Sequence, residues 1–390
     1  MTMSPAKALY DANQSEKAFL VRPHLHDQST HQATTSRRST MTKFRTVLIA
    51  FLTGIVALPP TTARAFDHPG HMTTAAIAFA EIERQRPELI EVIGMLFLAH
   101  PDPAPFWVAV GQAKGKERIR RMFLEAARWP DDSKFTNNDR LTWHTARWAV
   151  LAKDAPPEAK AAVAARKGKP IGQGLEALAL NYGMISNAES SPTERALALC
   201  WVMHVTGDLH QPMHVSDLYS KQFPTGNNAG SMGYVMDPVT KSPIPLHILW
   251  DSGVLRVPTV EAVDQHVQQF IKKHPRSSFP ELKDHPIGQE NFFKEWAKES
   301  HQVAVDWAFD VKMAIDPDKN QTQDQLVKKM VNFILNGEAA VKDAPDLPER
   351  YFDKLQSTTE RRITLAGYRI ADLILSAAEQ IEAEREFVGR

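Results

Sequence analysis

The sequence predicts an all-α protein, a single mainly helical domain with few short strands. Apolar residues recur at three- and four-residue spacing in six separate segments. Only two fragments read as strands, and no strand–helix alternation of the parallel-sheet kind is present. At 390 residues the chain can bury one large core, and no linker-like composition divides it into halves.

The elements follow in chain order. Residues 1–40 are polar and aperiodic, which reads as a polar leader or a misassigned start, with Met41 as the alternative first residue. Lys43 and Arg45 then precede an apolar run, Thr46–Leu58, and the run is followed by Ala63-Arg64-Ala65. A basic segment, a short apolar segment and an A-x-A site in that order predict a signal peptide over 41–65, cut after Ala65. The run is too short to span a bilayer. Cleavage would make Phe66 the first residue of a helical domain over 66–390, placed in the periplasm or outside the cell.

Met72–Glu83 is Ala-rich with Ile77 and Phe79 interspersed, and Arg118–Arg128 and Leu175–Tyr182 carry apolar residues at helical spacing. Thr193–Val205 follows Ser191-Pro192, a capping residue and a first-turn proline. Phe292–Phe309 aligns Phe293, Trp296, Ser300, Ala304 and Trp307 on one stripe, and Arg361–Glu379 does so with Ile363, Ala366, Ile370 and Leu373. Tyr234–Val239 and Val254–Val260 are the strand-like fragments. Loops are expected near 101–105, 130–140, 221–245 and 274–287.

Lys and Arg number 46, as do Asp and Glu, so the formal charge is zero. A packager of nucleic acid that works by bulk charge is excluded, because its affinity needs a net basic surface. Cys200 is the single cysteine, so neither an intramolecular disulfide nor a cysteine zinc cage can form. Any metal site must be built from other donors, and 15 histidines supply them.

Two His-x-x-x-Asp pairs stand in apolar segments: His204 with Asp208, and His247 with Asp251. Residues four apart project from one helix face, close enough to share an ion. Pro212 is expected to end the first of these helices, so that His214 turns back from the next segment. Upstream, Trp129-Pro130-Asp131 and Trp143-His144 place one carboxylate and one imidazole beside tryptophans, and His71 lies near the expected cleavage point. Burying carboxylates without a cation is costly. Imidazole with carboxylate suits zinc among common ions.

At these residues the chain resembles the zinc-dependent single-strand-specific nucleases, relatives of the bacterial zinc phospholipases C. The resemblance runs in order through Phe66…Gly70-His71, Trp129-Pro130-Asp131…Lys134, Trp143-His144, the string from His204 through Gly207-Asp208 and His210-Gln211-Pro212 to His214, and Leu246-His247…Trp250-Asp251. The helix around Ala366–Asp372 also looks like the family's C-terminal helix. The resemblance implies a helical fold with a cleft holding three zinc ions. Asp131, His144, His204 and Asp208 would hold the first, and His214, His247 and Asp251 the second. His71, Asp208 and Phe66, the last through its amine and carbonyl, would hold the third. It further implies in-line attack on phosphorus by a zinc-activated water, with Asp131 and Lys134 as the catalytic residues; Lys134 would stabilise charge on the phosphoryl oxygens. Single-stranded nucleic acid or nucleotides would be the substrate, with no stable protein partner and no membrane span. His210 would make a structural hydrogen bond, and His68, Asp67 and Asp132 would be loop residues.

Three departures stand out. Phe66 replaces the family's N-terminal Trp. Thr145 and Arg147 stand where the family has a base-stacking aromatic and a base-binding Asp, and Ser231 stands where it has an Asn. Stacking contributes ~1–3 kcal/mol per base, so nucleoside recognition should be weakened while the metal core is complete. The leading expectation is an exported endonuclease for single-stranded DNA and RNA, with 3′-nucleotidase activity as a second expectation. The alternative is a phospholipase C-like phosphodiesterase, although that sister family usually has Glu at the position of Asp251. A zinc-stabilised binding protein without activity would have no use for an open trinuclear cluster.

Overall fold

Helix α1, His68–Gln85, begins the structure of this protein, a computed structural model that describes residues 68–388 apart from 135, 283–286, 288–291 and scattered positions between 316 and 335. The leader, the 41–65 segment and Phe66 lie outside the described residues. The helices given in full among the described residues continue with α2 (Leu89–Leu98), α3 (Ala104–Val110), α4 (Gly115–Asp132), α5 (Pro157–Ala165), α6 (Gly174–Ser186), α7 (Pro192–Leu209), α8 (Leu246–Ser252), α9 (Val260–Lys273), α10 (Phe292–Val303) and α11 (Tyr351–Val388). Among the described residues none is long and apolar enough to cross a membrane.

The scaffold of the site is α7, flanked by α4 and α6, with α1 against α4 and α11. Ser191 caps α7 by accepting from the Glu194 N–H at 3.2 Å while Glu194 accepts from the Ser191 N–H at 2.8 Å, and Pro192 occupies the first turn. This reciprocal cap is typically worth about 1 kcal/mol. Beyond the first turn α7 is buried on every face from Ala198 to Leu209, its apolar side chains broken only by His204, Thr206 and Asp208, as expected of a helix through the middle of a core. Helix α11 lies so close on α1 that a Cβ at Gly367 would stand 2.6 Å from Ile77 Cβ.

The strands are few and short. β1 (Trp148–Leu151) runs parallel to β2 (Ser216–Tyr219), Trp148 opposite Ser216; β3 (Gly233–Met236) pairs antiparallel with β4 (Pro243–Pro245) and β5 (Ala314–Ile315). A second, smaller core forms there around Phe223, Val235, Trp250 and Leu355.

Several expectations are corrected. Val254–Val260 is not a strand: it is an irregular lead into α9, whose start is capped by Thr259 accepting from the Ala262 N–H at 3.2 Å. The 101–105 loop gives way to α3 at Ala104, and the 130–140 loop starts late because α4 continues through Pro130 to Asp132. A proline two residues from a helix end forfeits a single backbone bond, and the Ser133 N–H still reaches Trp129 O at 2.9 Å. Helix α7 stops at Leu209, before Pro212. The 292–309 stripe is interrupted: α10 ends at Val303 and a π-helical turn covers Ala304–Ala308.

Candidate metal centre

Five imidazoles and three carboxylates converge where α1, α4, α7 and α8 meet, all of them buried. They form three groups, His71–His204–Asp208, Asp131–His144–His204 and His214–His247–Asp251, with ligand atoms in each group within 4.8 Å of one another. The two i, i+4 pairs behave as their spacing predicts: His204 Nε2 lies 3.2 Å from Asp208 Oδ2, and His247 Nε2 lies 3.2 Å from Asp251 Oδ2. Asp208 sits between groups. Its Oδ2 is 3.2 Å from His144, while its Oδ1 is 3.4 Å from His71 and 3.5 Å from His214.

The local backbone explains these positions. His144 ends a 3₁₀ turn, Leu141–His144, and the chain then enters β1. His214 precedes β2, and the Ala146 N–H donates to His214 O at 3.0 Å. The parallel β1–β2 pair thus locks two distant candidate ligands, His144 and His214, side by side.

Ring orientation is fixed from behind. His204 Nδ1 bonds Ala127 O, His214 Nδ1 bonds His144 O and His247 Nδ1 bonds Ala229 O, each at 2.8 Å. A neutral imidazole that donates from Nδ1 presents a lone pair at Nε2, the arrangement typical of metal-binding histidines. The Ala229 carbonyl is aimed by unusual backbone: Asn228 and Ala229 both have positive φ, 48° and 58°. An alanine there costs about 1–2 kcal/mol. The loop is held by Asp217 Oδ1, which accepts from Ala229 N–H at 3.2 Å, and by Asn227 Oδ1, which accepts from Leu218 and Gly230 N–H.

The donor set fits cations. Asp131 Oδ2, His144 Nε2, His214 Nε2 and Asp251 Oδ2 are buried without a hydrogen-bond partner. Such atoms are expensive in an apolar interior unless something else satisfies them. Burial works against ionisation of Asp131, Asp208 and Asp251, but Lys134 at Asp131 and the imidazoles around all three reverse the effect, so each stays a carboxylate. Burial and the neighbouring His204 push His71 down to about 4. His214 is pushed up to about 9, because Asp208 and Asp251 outweigh its burial.

Lys134, partly exposed at the rim, donates from Nζ to Asp131 Oδ1 and is held protonated by it. Sequence reasoning missed Gln211, whose Nε2 donates to Asp251 Oδ1 at 2.6 Å while its Oε1 accepts from the Met213 N–H. Gln211 stands inside the His204–His214 string, which was the available signal. His210 is structural as expected: Nδ1 bonds Thr206 O at 2.7 Å and Nε2 accepts from Arg369 of α11 at 2.8 Å. His68 and Asp132 are not loop residues. They occupy the start of α1 and the end of α4 and pair at 3.2 Å beside the ligands.

At the three departing positions the side chain of Arg147 is engaged elsewhere, and Thr145 and Ser231 are tied through their backbones. Arg147, buried, donates to Asn228 Oδ1 and neighbours buried Asp217. The Thr145 carbonyl accepts from the Gly174 N–H at 2.9 Å and lies against Gly172, where any side chain would clash. Ser231 is buried in the Asn227–Gly230 loop, its N–H donating to Asn228 O at 3.0 Å.

A helical scaffold with eight buried imidazole and carboxylate side chains in three adjoining groups is the framework of a metal-binding protein. Residues 66–379 match the S1/P1 nuclease family, and the chain belongs to that family. It is therefore a metal-dependent hydrolase of phosphodiester bonds, of a family that acts on nucleic acid. Nuclease S1 of Aspergillus oryzae is 25 % identical over 260 residues, which cover 64 % of this chain and 78 % of that protein.

Proposed function

We propose that this protein is an exported zinc endonuclease for single-stranded DNA and RNA that also removes 3′-phosphate from nucleotides. The observation that carries the reading is the convergence of eight buried ligand side chains with Lys134 at their rim. Asp131, His144, His204 and Asp208 would hold one zinc. His214, His247 and Asp251 would hold a second. His71 and Asp208, with the amine and carbonyl of Phe66, would hold a third after removal of 41–65. Zinc at such a site lowers the pKa of water and withdraws charge from phosphoryl oxygens. The chain's own contribution is positioning. The carbonyls of Ala127, His144 and Ala229 hold three imidazoles in one tautomer, Gln211 orients Asp251, and the Lys134 ammonium, paired with Asp131, would offset charge on the phosphoryl oxygens.

Arg147 and Thr145 favour a second reading, a phosphodiesterase acting on phospholipid head groups, because the base-binding aromatic and carboxylate are absent. Asp251 in place of Glu weighs for the nuclease. The test incubates signal-cleaved protein with single-stranded DNA, RNA, a 3′-nucleotide and phosphatidylcholine. Cleavage of the two polymers supports the proposal. Hydrolysis of phosphatidylcholine with both polymers intact overturns it.

A further inference from the structure

We infer that the groove between the turn at 167–170, which follows α5, and α10 is an electrostatic track for the phosphate backbone of a substrate strand leaving the metal centre. The inference rests on the nuclease reading and deepens it. Three observations carry it.

The first is charge. Residues 160–169 hold Lys160, Arg166, Lys167 and Lys169 and no carboxylate, in a chain whose total charge is zero. Lys167 and Lys169 line a cleft of about 880 Å³, with Lys294 of α10 also on its wall. None of these three lysines meets a carboxylate within ion-pair distance among the described residues. Glu176 and Glu384 also line the cleft, so the lysines exceed the carboxylates by one within it. A lysine that is not neutralised by a neighbouring carboxylate is available to attract phosphate.

The second is continuity with the site. The turn continues into Ile171, whose N–H and C=O exchange bonds with Arg147 at 2.9 and 2.7 Å, and Arg147 stands three residues after His144. At ~3.3 Å per extended residue and ~5.5 Å across a bonded pair, Lys169 lies within about 22 Å of His144 along this path. A few nucleotides bridge that distance, in line with site sizes of about 4 or more on grooves that track single strands.

The third is lining. Half-buried Phe292 shares the cleft with the lysines, and an aromatic ring beside a basic track is the pairing used to hold single strands without reading their sequence. It would offset the loss of base contacts at Thr145 and Arg147 by gripping the strand outside the reaction centre.

The test compares the wild-type holoenzyme with Lys167→Gln/Lys169→Gln/Lys294→Gln, and with a control that neutralises exposed Lys114, Lys272 and Lys342. Each is assayed on bis(p-nitrophenyl) phosphate and on an oligothymidine across a salt series. The expected result is an unchanged rate on the small diester for the groove variant, with kcat/KM on the oligothymidine reduced. Its salt slope should be shallower by about 2, from ~0.7 per phosphate contact on a single strand, so that the wild type loses about 20-fold more than the variant between 50 and 200 mM salt. An oligothymidine cleaved by the groove variant with the wild-type slope, or a control with the same change, overturns the track and leaves the nuclease reading standing. Hydrolysis of the small diester with no cleavage of the oligothymidine by the wild type overturns both. Loss of both activities in a groove variant that keeps its helical circular dichroism also overturns the track, since the lysines would then serve the reaction centre itself.

Discussion

Asp208→Asn is the sharpest perturbation of the proposed zinc centre. The side chain is fully buried, and its two oxygens face four imidazoles at 3.2–3.5 Å. Asparagine preserves the volume and one oxygen. It replaces the other by an amide that can only donate, and it removes the charge. Whichever way the amide turns, one of the two ligand groups meets an N–H where it needs a lone pair, and the neutral oxygen is a poor bridge. More than one of three ions should therefore be lost. An ion held at a hundredfold excess over its Kd contributes about 2.7 kcal/mol to stability, so losing two removes about 5 kcal/mol. At roughly 2–4 °C per kcal/mol for a chain of this size or somewhat smaller, Tm falls by about 10–20 °C. Elemental analysis of the purified variant, calorimetry and turnover of a small phosphodiester check the three consequences, with activity expected to fall by at least ~10³. A variant with wild-type zinc content and wild-type Tm would refute the bridging role.

Other consequences are simpler to state. Lys134→Ala should lower kcat by ~10²–10³ with zinc content unchanged, and Lys134→Arg should recover part of it; loss of zinc in the alanine variant would show that Lys134 supports the ligands instead. A chain with a short extension before Phe66 should bind one zinc fewer than the chain that begins at Phe66, because a peptide nitrogen has no free lone pair; equal zinc content and equal activity count against the role of that terminus. Glu125, buried against Arg128, is pushed up to about 7 by desolvation from an ordinary 4.5. Between those pH values the folded state keeps a proton that the unfolded state has lost, so stability falls as pH rises through this window, by up to about 3 kcal/mol. Glu125→Gln should match the wild type near pH 5 and exceed it near pH 8 in denaturant melts, and parallel pH profiles for the two proteins would sink this account.

Much of the centre was legible in the chain because its parts are local. His204 with Asp208 and His247 with Asp251 are single helical turns, and four-residue spacing fixes their geometry before any folding contact is made. The capped start of α7 was visible for the same reason. The short elements were not legible. From the sequence no element is assigned to α9 and the irregular segment before it is taken for a strand, and β1 and β2 span four residues each, too few to show a period. Their parallel pairing joins residues 68 positions apart, Trp148 with Ser216, which no local pattern encodes. The same holds for what orients the ligands. The carbonyls of Ala127 and Ala229 carry no side-chain signature, and they face His204 and His247 only because α4 packs on α7 and the left-handed turn at Asn228 and Ala229 meets α8. The fate of Arg147 was likewise decided in three dimensions: sequence placed it at a lost base contact, and the fold put it beside Asn228 and Asp217, between His144 and the basic turn. Side-chain type and near spacing therefore determined which chemistry this chain carries. Long-range backbone pairing decided where the lone pairs point, because an imidazole's tautomer is set by whichever distant carbonyl meets its second nitrogen.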